Sequence, residues 1–485
     1  MNTFANALED LNNFGYTENG AVKHLTTKSD VLDMFALCGA YRNRSEEDCV
    51  AAFRKAYAEN ETLALKCLFY LRDILQGQGE RRFFRVCFRW LANNHPEAAE
   101  RNLANISEYG RWDDLIYSTI DTPVWSVTVS FIKSQLAMDN ACTTPSLLGK
   151  WMPSCNASSE TTRSVASTLR TSLGFSQKAY RKLLSSLRQK INVLERLMSE
   201  NRWDEIEFDK IPSKAGMIYR NAFARRDIIA KKYEAFANDK NTVVNAATLN
   251  PAEVVHKAMN MYYASVSETD IAMIDKYWEN LKDYYNGRQE NGLCVVDVSG
   301  SMTGLPMEAA IGLGMYIAER GHGPFANTFI TFSSNPSLVK IDGDNIVEKV
   351  RRMQCADWEI STNIEAVFGM LLKAAKRDGV KKEDMPERLY IFSDMEFDSA
   401  MGGNEDSNET LLESIARQWA REGYELPKVI FWNLDARSQN IPALGKRFSY
   451  VSGFSPSMVE TILGGKDGYS LMLEKLNSKR YEAVK

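Results

Sequence analysis

Histidine is scarce in this chain: four residues in 485, at positions 24, 95, 256 and 322, with no H-x-x-x-H pair. That shortage argues against a zinc site of the usual composition. The eight cysteines (38, 49, 67, 87, 142, 155, 294 and 355) include no C-x-x-C pair, and most lie in apolar stretches such as LALKCLFYL. They are expected to be buried free thiols, not a disulfide framework. No apolar run is long enough to cross a bilayer, and the opening MNTFANALEDLNNFGYTENG has no basic segment leading into an apolar one. The expectation is a cytoplasmic protein with no membrane partner. Charge of one sign is also lacking: 59 basic against 63 acidic residues leave a formal net charge of −4, so nothing global pulls the chain towards nucleic acid or membrane. A phosphate loop is missing too. GQGERR at 77–82 lacks the G-K-[ST] ending and reads as a glycine stop to the preceding helix.

What is present divides the chain in two. With 485 residues, two or three domains are expected. From about residue 28 to 285 the apolar period is helical, as in SDVLDMFALCGAY, ETLALKCLFYLRDIL and FFRVCFRWLANN. EYGRWDDLIY at 108–117 and ENRWDEIEF at 200–208 echo each other, which fits a stack of helix pairs of the HEAT type. Trp112 and Trp203 in these segments are expected to anchor one helical repeat on the next, their neighbouring Arg and Asp residues pairing in the turn. After Asn286 short β-rich runs (LCVVDV, TFITFS, RLYIFSD, KVIFWNL) alternate with helical segments, the pattern of a parallel sheet covered on both faces. The expected division is therefore an all-α HEAT-like domain over 1–285 and a Rossmann-like α/β domain over 286–485.

The second region carries the chemistry. If LCVVDV is a strand, Asp297 ends it, and Ser299 and Ser301 occupy the loop beyond. Thr362 precedes a helix, and Asp394 ends the run RLYIFSD. Ligands bind at the carboxyl ends of such strands. Two carboxylates and three hydroxyls meeting there suit a hard divalent cation, most readily Mg, with Mn or Ca as alternatives. A site with few anionic ligands leaves the metal electrophilic, able to recruit an acidic side chain from a partner. A plainer role exists for Thr362, which with Glu365 forms the sequence of a capping box.

Asp297, Ser299, Ser301, Thr362 and Asp394 together resemble the metal-ion-dependent adhesion site (MIDAS) of von Willebrand factor A domains. The resemblance implies that the three hydroxyls touch the metal and that the two carboxylates act mainly through water. Further upstream, FYLRDILQGQGERRFFR (69–85), EYGRWDDLI (108–116), LLGKWMPSCNASS (147–159) and NRWDEIEFDKIPSKAG (201–216) resemble an uncharacterised family of plants, large viruses and phages. Its architecture is similar to that of the Ro autoantigen proteins, which join a ring of HEAT-like repeats, called TROVE, to a von Willebrand factor A domain. That likeness implies a ribonucleoprotein component that binds small structured or misfolded RNA.

From Lys150 to Lys232 the chain carries 17 basic residues against 8 acidic ones. The candidate RNA contacts are Lys150, Arg163, Arg170, Lys178, Arg181, Lys182, Arg188, Lys190, Arg225 and Arg226, which would bind through the phosphate backbone. No RNP-like aromatic motif or zinc knuckle accompanies them, so shape, ends or single-stranded regions are the expected targets. The chain is expected not to be an enzyme. Two other readings stay open: a protein-binding adaptor that uses no RNA, and a metal-dependent phosphoesterase in which the cation activates water.

Overall fold

The structure is a computed structural model that describes residues 12–191, 194–261, 266–332, 335–354, 362–399, 410–464 and 466–485. Its chain is mostly helical in the amino-terminal region, and a sheet domain comes after it. Two compact units divide it. One comprises residues up to Cys67 together with Ala246–Ser478, and the other Leu68–Asn245 with Lys479–Lys485.

The first unit is built on a six-stranded sheet. In chain order its strands are β3 (Gly292–Val296), β4 (Thr328–Thr331), β5 (Leu338–Lys340), β6 (Arg388–Ser393), β7 (Lys428–Asn433) and β8 (Phe448–Ser452), arranged β5-β4-β3-β6-β7-β8. All neighbours pair in parallel except β5, which runs antiparallel to β4. Every residue of β6 and β8 is buried, as a parallel sheet with both faces covered requires. The expected runs of Val, Ile, Phe and Tyr supply these strands. From β3 the chain crosses to β4 on one side, and from β6 to β7 and β8 on the other. The sheet therefore reverses its winding between β3 and β6, where the carboxyl ends leave a crevice.

A two-stranded hairpin, β1 (Phe14–Tyr16) with β2 (Val22–His24), belongs to this unit. Its second strand bridges to Ile441, and the His24 imidazole meets the Glu413 carboxylate at 3.0 Å. Helix Asp30–Leu37 packs on β8, and the segment just after it comes so close that a side chain at Gly39 would strike the Ser452 carbonyl.

Helix Pro251–Met261 lies against helix Leu305–Arg320, with the His256 ring 2.7 Å from Glu308. Gly312 makes the approach feasible, since a Cβ there would stand 2.8 Å from the backbone of Pro251 and Ala252. This packing carries the compact unit back across the change of pattern at 285/286. The change of pattern at that point is real, but the helices before it use their apolar faces on the α/β layer, so the compact unit extends back to Ala246.

The second unit is helical. Phe69, Phe84, Phe88 and Tyr109 form an aromatic cluster, and Tyr481 stacks on Tyr109 with centroids 5.5 Å apart. Trp112 and Trp203 are buried as expected, the former stacked on Phe131. The turn ion pairs also form: Arg111 with Asp113, and Arg202 with Glu205 instead of Asp204. Asp114 takes two further arginines, Arg72 and Arg85.

Five of the cysteines, at 38, 49, 67, 87 and 294, are buried thiols outside any disulfide, and Cys142 and Cys155 are half-buried thiols. Cys355 lies outside the described residues. Among the described residues no helix is long and apolar enough to cross a membrane.

A Gly312→Val substitution forces a branched side chain into the backbone of the facing helix. It is expected to cost about 1–3 kcal/mol in chemical denaturation. Limited proteolysis should cut first within 246–261.

Candidate metal centre and basic helical surface

Asp297 directly follows β3, and its amide donates to the Phe392 carbonyl of β6. The pairing puts Ser393 beside it, and the Ser393 hydroxyl donates to Asp297 Oδ2 at 2.6 Å. The other carboxylate oxygen accepts the Ser299 amide at 2.9 Å, which folds the loop back and fixes its hydroxyl. Ser299 Oγ and Ser301 Oγ then stand 3.1 Å apart. Asp394 comes next at the end of β6, fully buried, with Oδ1 accepting the Glu396 amide. Met395 between them takes φ +66°, a left-handed conformation that a side chain rarely adopts, and it reverses the chain so that this bond can close.

Burial, reinforced by the nearby Asp394 carboxylate, pushes Asp297 up to about pKa 6 against the lowering influence of Ser393 and Ser299. The two carboxylates therefore feel each other across the crevice between β3 and β6.

Thr362 is buried and meets the same loop, donating to the Glu396 carbonyl or to Asp398 Oδ1, each at 3.0 Å. Its oxygen accepts Asn19 Nδ2 at 3.0 Å. A hydroxyl has one proton and two lone pairs, so one lone pair of Thr362 is left over. The capping box expected of Thr362 and Glu365 is not what starts the helix. Asn363 caps it, accepting the Ala366 amide at 2.8 Å, and Thr362 is thereby left to the loop.

Residues that no local pattern announced complete the surroundings. The tip of the β1–β2 hairpin brings Thr17, Glu18 and Asn19 to the loop after β6. Thr17 donates to the Phe397 carbonyl, the Glu18 amide to Glu396 Oε2, and the Asn19 side chain to the Glu396 carbonyl. Arg437, beyond β7, donates to Asp394 Oδ2 and pairs with Glu18 at 3.0 Å. Of the partners that surround the two carboxylates, Ser393 alone lies within a β-rich run, RLYIFSD, that the sequence pattern singles out.

The donor set suits a hard cation. Two neighbouring ligands on an octahedral Mg ion with bonds of about 2.1 Å stand roughly 3 Å apart, close to the spacing of the two serine oxygens. Among the described residues no group of three or more His, Cys, Asp or Glu side chains is arranged to hold a metal.

The ten basic candidates, all in the helical unit, separate by what they touch. Arg188 is committed inward. It donates to the carbonyls of Gly149 and Met152 and to the Ser154 hydroxyl, and burial depresses its pKa. It ties helix Gln177–Lys190 to the segment from Gly149 to Ser154. Lys190 donates to the carbonyls of Asp139, Asn140 and Cys142 at the end of helix Trp125–Ala141. Arg163 and Arg170 bond loop carbonyls, Lys150 lies over the Trp151 ring, and Arg226 lies over the Trp203 ring. Lys178, Arg181, Lys182 and Arg225 are exposed, and among the described residues no carboxylate pairs with them.

Fold and site define a class: a parallel α/β unit with a hydroxyl and carboxylate cluster at its winding reversal, joined in one chain to a helical unit. A domain of unknown function (DUF7788) matches residues 291–483, and a second domain of unknown function (DUF2828) matches 17–117 and 166–286. Over 499 residues the chain is 31% identical to "Uncharacterized protein L728" of Acanthamoeba polyphaga mimivirus, covering 94% of this chain and 85% of that protein. The chain belongs to the family of that mimivirus protein. It is also similar to the crystal structure of the Ro (RSR) protein of Deinococcus radiodurans, at 12% identity and a TM-score of 0.48, over 94% of this chain and all of that one.

The raised Asp297 pKa has a consequence for stability. An unfolded aspartate titrates near 3.9, so ionising Asp297 at about 6 penalises the folded state. The metal-free protein is expected to lose up to about 3 kcal/mol as pH rises from 4 to 6, and no more above that. Asp297→Asn should recover that amount at pH 7.5 and nothing at pH 4, measured by urea titration in EDTA. For the helical unit, Arg188→Ala is expected to cost about 2–3 kcal/mol by orphaning carbonyls. Lys182→Ala should leave the melting temperature unchanged.

Proposed function

We propose that the chain is a non-enzymatic RNA-binding component of a ribonucleoprotein, similar to the Ro proteins and cytoplasmic. In this reading the helical unit is a TROVE-like stack of HEAT-type repeats that holds small structured or misfolded RNA. The α/β unit is a von Willebrand factor A domain whose adhesion-type site recruits an acidic partner. What carries the RNA half is the set of exposed side chains without carboxylate partners, Lys178, Arg181, Lys182 and Arg225, in a chain whose net charge is −4. Side chains held by no carboxylate are the ones able to exchange counterions for phosphate.

For the other half, Ser299, Ser301 and Thr362 would offer hydroxyl oxygens, with Asp297 and Asp394 behind water. When bound, the cation, most readily Mg and otherwise Mn or Ca, supplies a Lewis-acidic position for an incoming carboxylate. Asp297 and Ser393 orient the serine loop, and the Glu396 amide orients Asp394.

Electrophoretic shifts with a structured RNA across a salt series test the RNA half. Reversing Arg181, Lys182, Arg225 and Arg226 to Glu is expected to weaken binding at least tenfold at low salt. The slope of log K on log salt should flatten by about 0.7–0.9 for each phosphate no longer neutralised. Unchanged affinity, or wild-type binding that ignores salt, would refute the reading.

A further inference from the structure

Arg437 is an unusual neighbour for a cation site, because it is itself a cation. Its guanidinium donates to Asp394 Oδ2, and its other terminal nitrogen lies 3.0 Å from Glu18 Oε2. The third nitrogen, Nε, is buried and makes no hydrogen bond among the described residues. An arginine with one of its donors left dry is incompletely satisfied where it stands. Its two anchors differ: Asp394 is fully buried at the end of β6, whereas the Glu18 side chain is about half exposed at the hairpin tip. Arg437 thus has one hand in the crevice and one at the rim.

Asp394 Oδ1 accepts the Glu396 amide and Oδ2 the Arg437 guanidinium, so Arg437 occupies an acceptor position that the hydration shell of a metal would otherwise use. A guanidinium there also repels a divalent ion through a medium of low dielectric constant. The same hairpin tip places Asn19 on Thr362, so the segment that anchors Arg437 touches a second candidate ligand as well.

We propose that Arg437 is a resident counter-cation of this site, which neutralises Asp394 in the metal-free protein and gives it up to an arriving divalent ion. Glu18 is its positioning residue, drawing the guanidinium towards the rim and so favouring the ion. Ion binding in the α/β unit is thereby coupled to the seating of the β1–β2 hairpin. The inference rests on the metal reading of the site.

Mn titrations of the full chain, followed by electron paramagnetic resonance of the free ion, separate the two. Thr362→Ala should abolish binding, which tests the metal reading by itself. Arg437→Gln is expected to bind Mn about tenfold more tightly than the wild type, the order set by one unit charge removed from a partly buried site. Arg437→Lys, which keeps the charge, should stay within about twofold of the wild type if charge is what acts. Glu18→Gln should weaken Mn binding several-fold, and by less than about twofold in the Arg437→Gln background, where only its own half-exposed charge is lost. Circular dichroism confirms that each variant is folded. Tight wild-type binding that Arg437→Gln leaves unchanged or weakens would overturn the counter-cation while sparing the metal site, as would a Glu18 effect undiminished without Arg437. Absence of Mn binding in the wild type would sink both.

Discussion

Two carboxylates buried next to each other, Asp297 and Asp394, impose the condition that the surrounding α/β structure meets. Adjacent parallel strands deliver them to one crevice, and burial there penalises both charges. Each near neighbour supplies compensation of the same kind: the Ser393 hydroxyl and Ser299 amide to Asp297, the Glu396 amide and Arg437 guanidinium to Asp394. The left-handed Met395, the folded serine loop and the docked hairpin are the backbone consequences of bringing those donors in. A buried carboxylate has to be offset by donors or by positive charge wherever it stands, and here both kinds of compensation are drawn from several elements.

Much of this was readable in the residues. The alternation of β-rich runs with helices after 286 located β3, β4, β6 and β7, and their ends located Asp297 and Asp394, because a strand buried on both faces is mostly apolar and the acidic residue that follows the run marks its exit. The serine loop followed from position alone. What escaped was whatever depends on residues distant in the chain. Glu18 and Asn19 sit in an ordinary polar turn, and Arg437 in an ordinary polar loop. Nothing in their own neighbourhood distinguishes them from surface residues. The capping role of Asn363 was missed for a different reason, since Thr362 fits the same capping sequence and only geometry chooses between them.

The helical unit shows the same limit with charges. Arg181 and Arg188 lie seven residues apart on one helix, two turns along nearly the same face, and look alike as letters. Arg188 meets three acceptors between Gly149 and Ser154 and becomes part of the packing, whereas Arg181 meets none of them. A basic count measures potential, and only the partners say which charges remain available to a phosphate. Lys190 shows the physical reason for such capture: it holds the end of helix Trp125–Ala141, where unsatisfied C=O groups attract cations.

Chain order gives the site a further property. The hairpin tip is made early, yet its hydrogen bonds to Thr362, Glu396 and Phe397 span 343, 377 and 380 residues. The strand ends that hold Asp297 and Asp394 also come together only across a long separation, Ser393 reaching Asp297 over 96 residues. Contacts of such range repay the entropy of loop closure only after the intervening chain has folded. The hairpin docks on strand ends that the sheet itself brings together, so Glu18 and Asn19 complete a site whose frame is made by other elements. Arg437 closes a much shorter loop: its bond to Asp394 spans only 43 residues, so the cation that offsets the buried pair costs less closure entropy than the hairpin contacts that surround it.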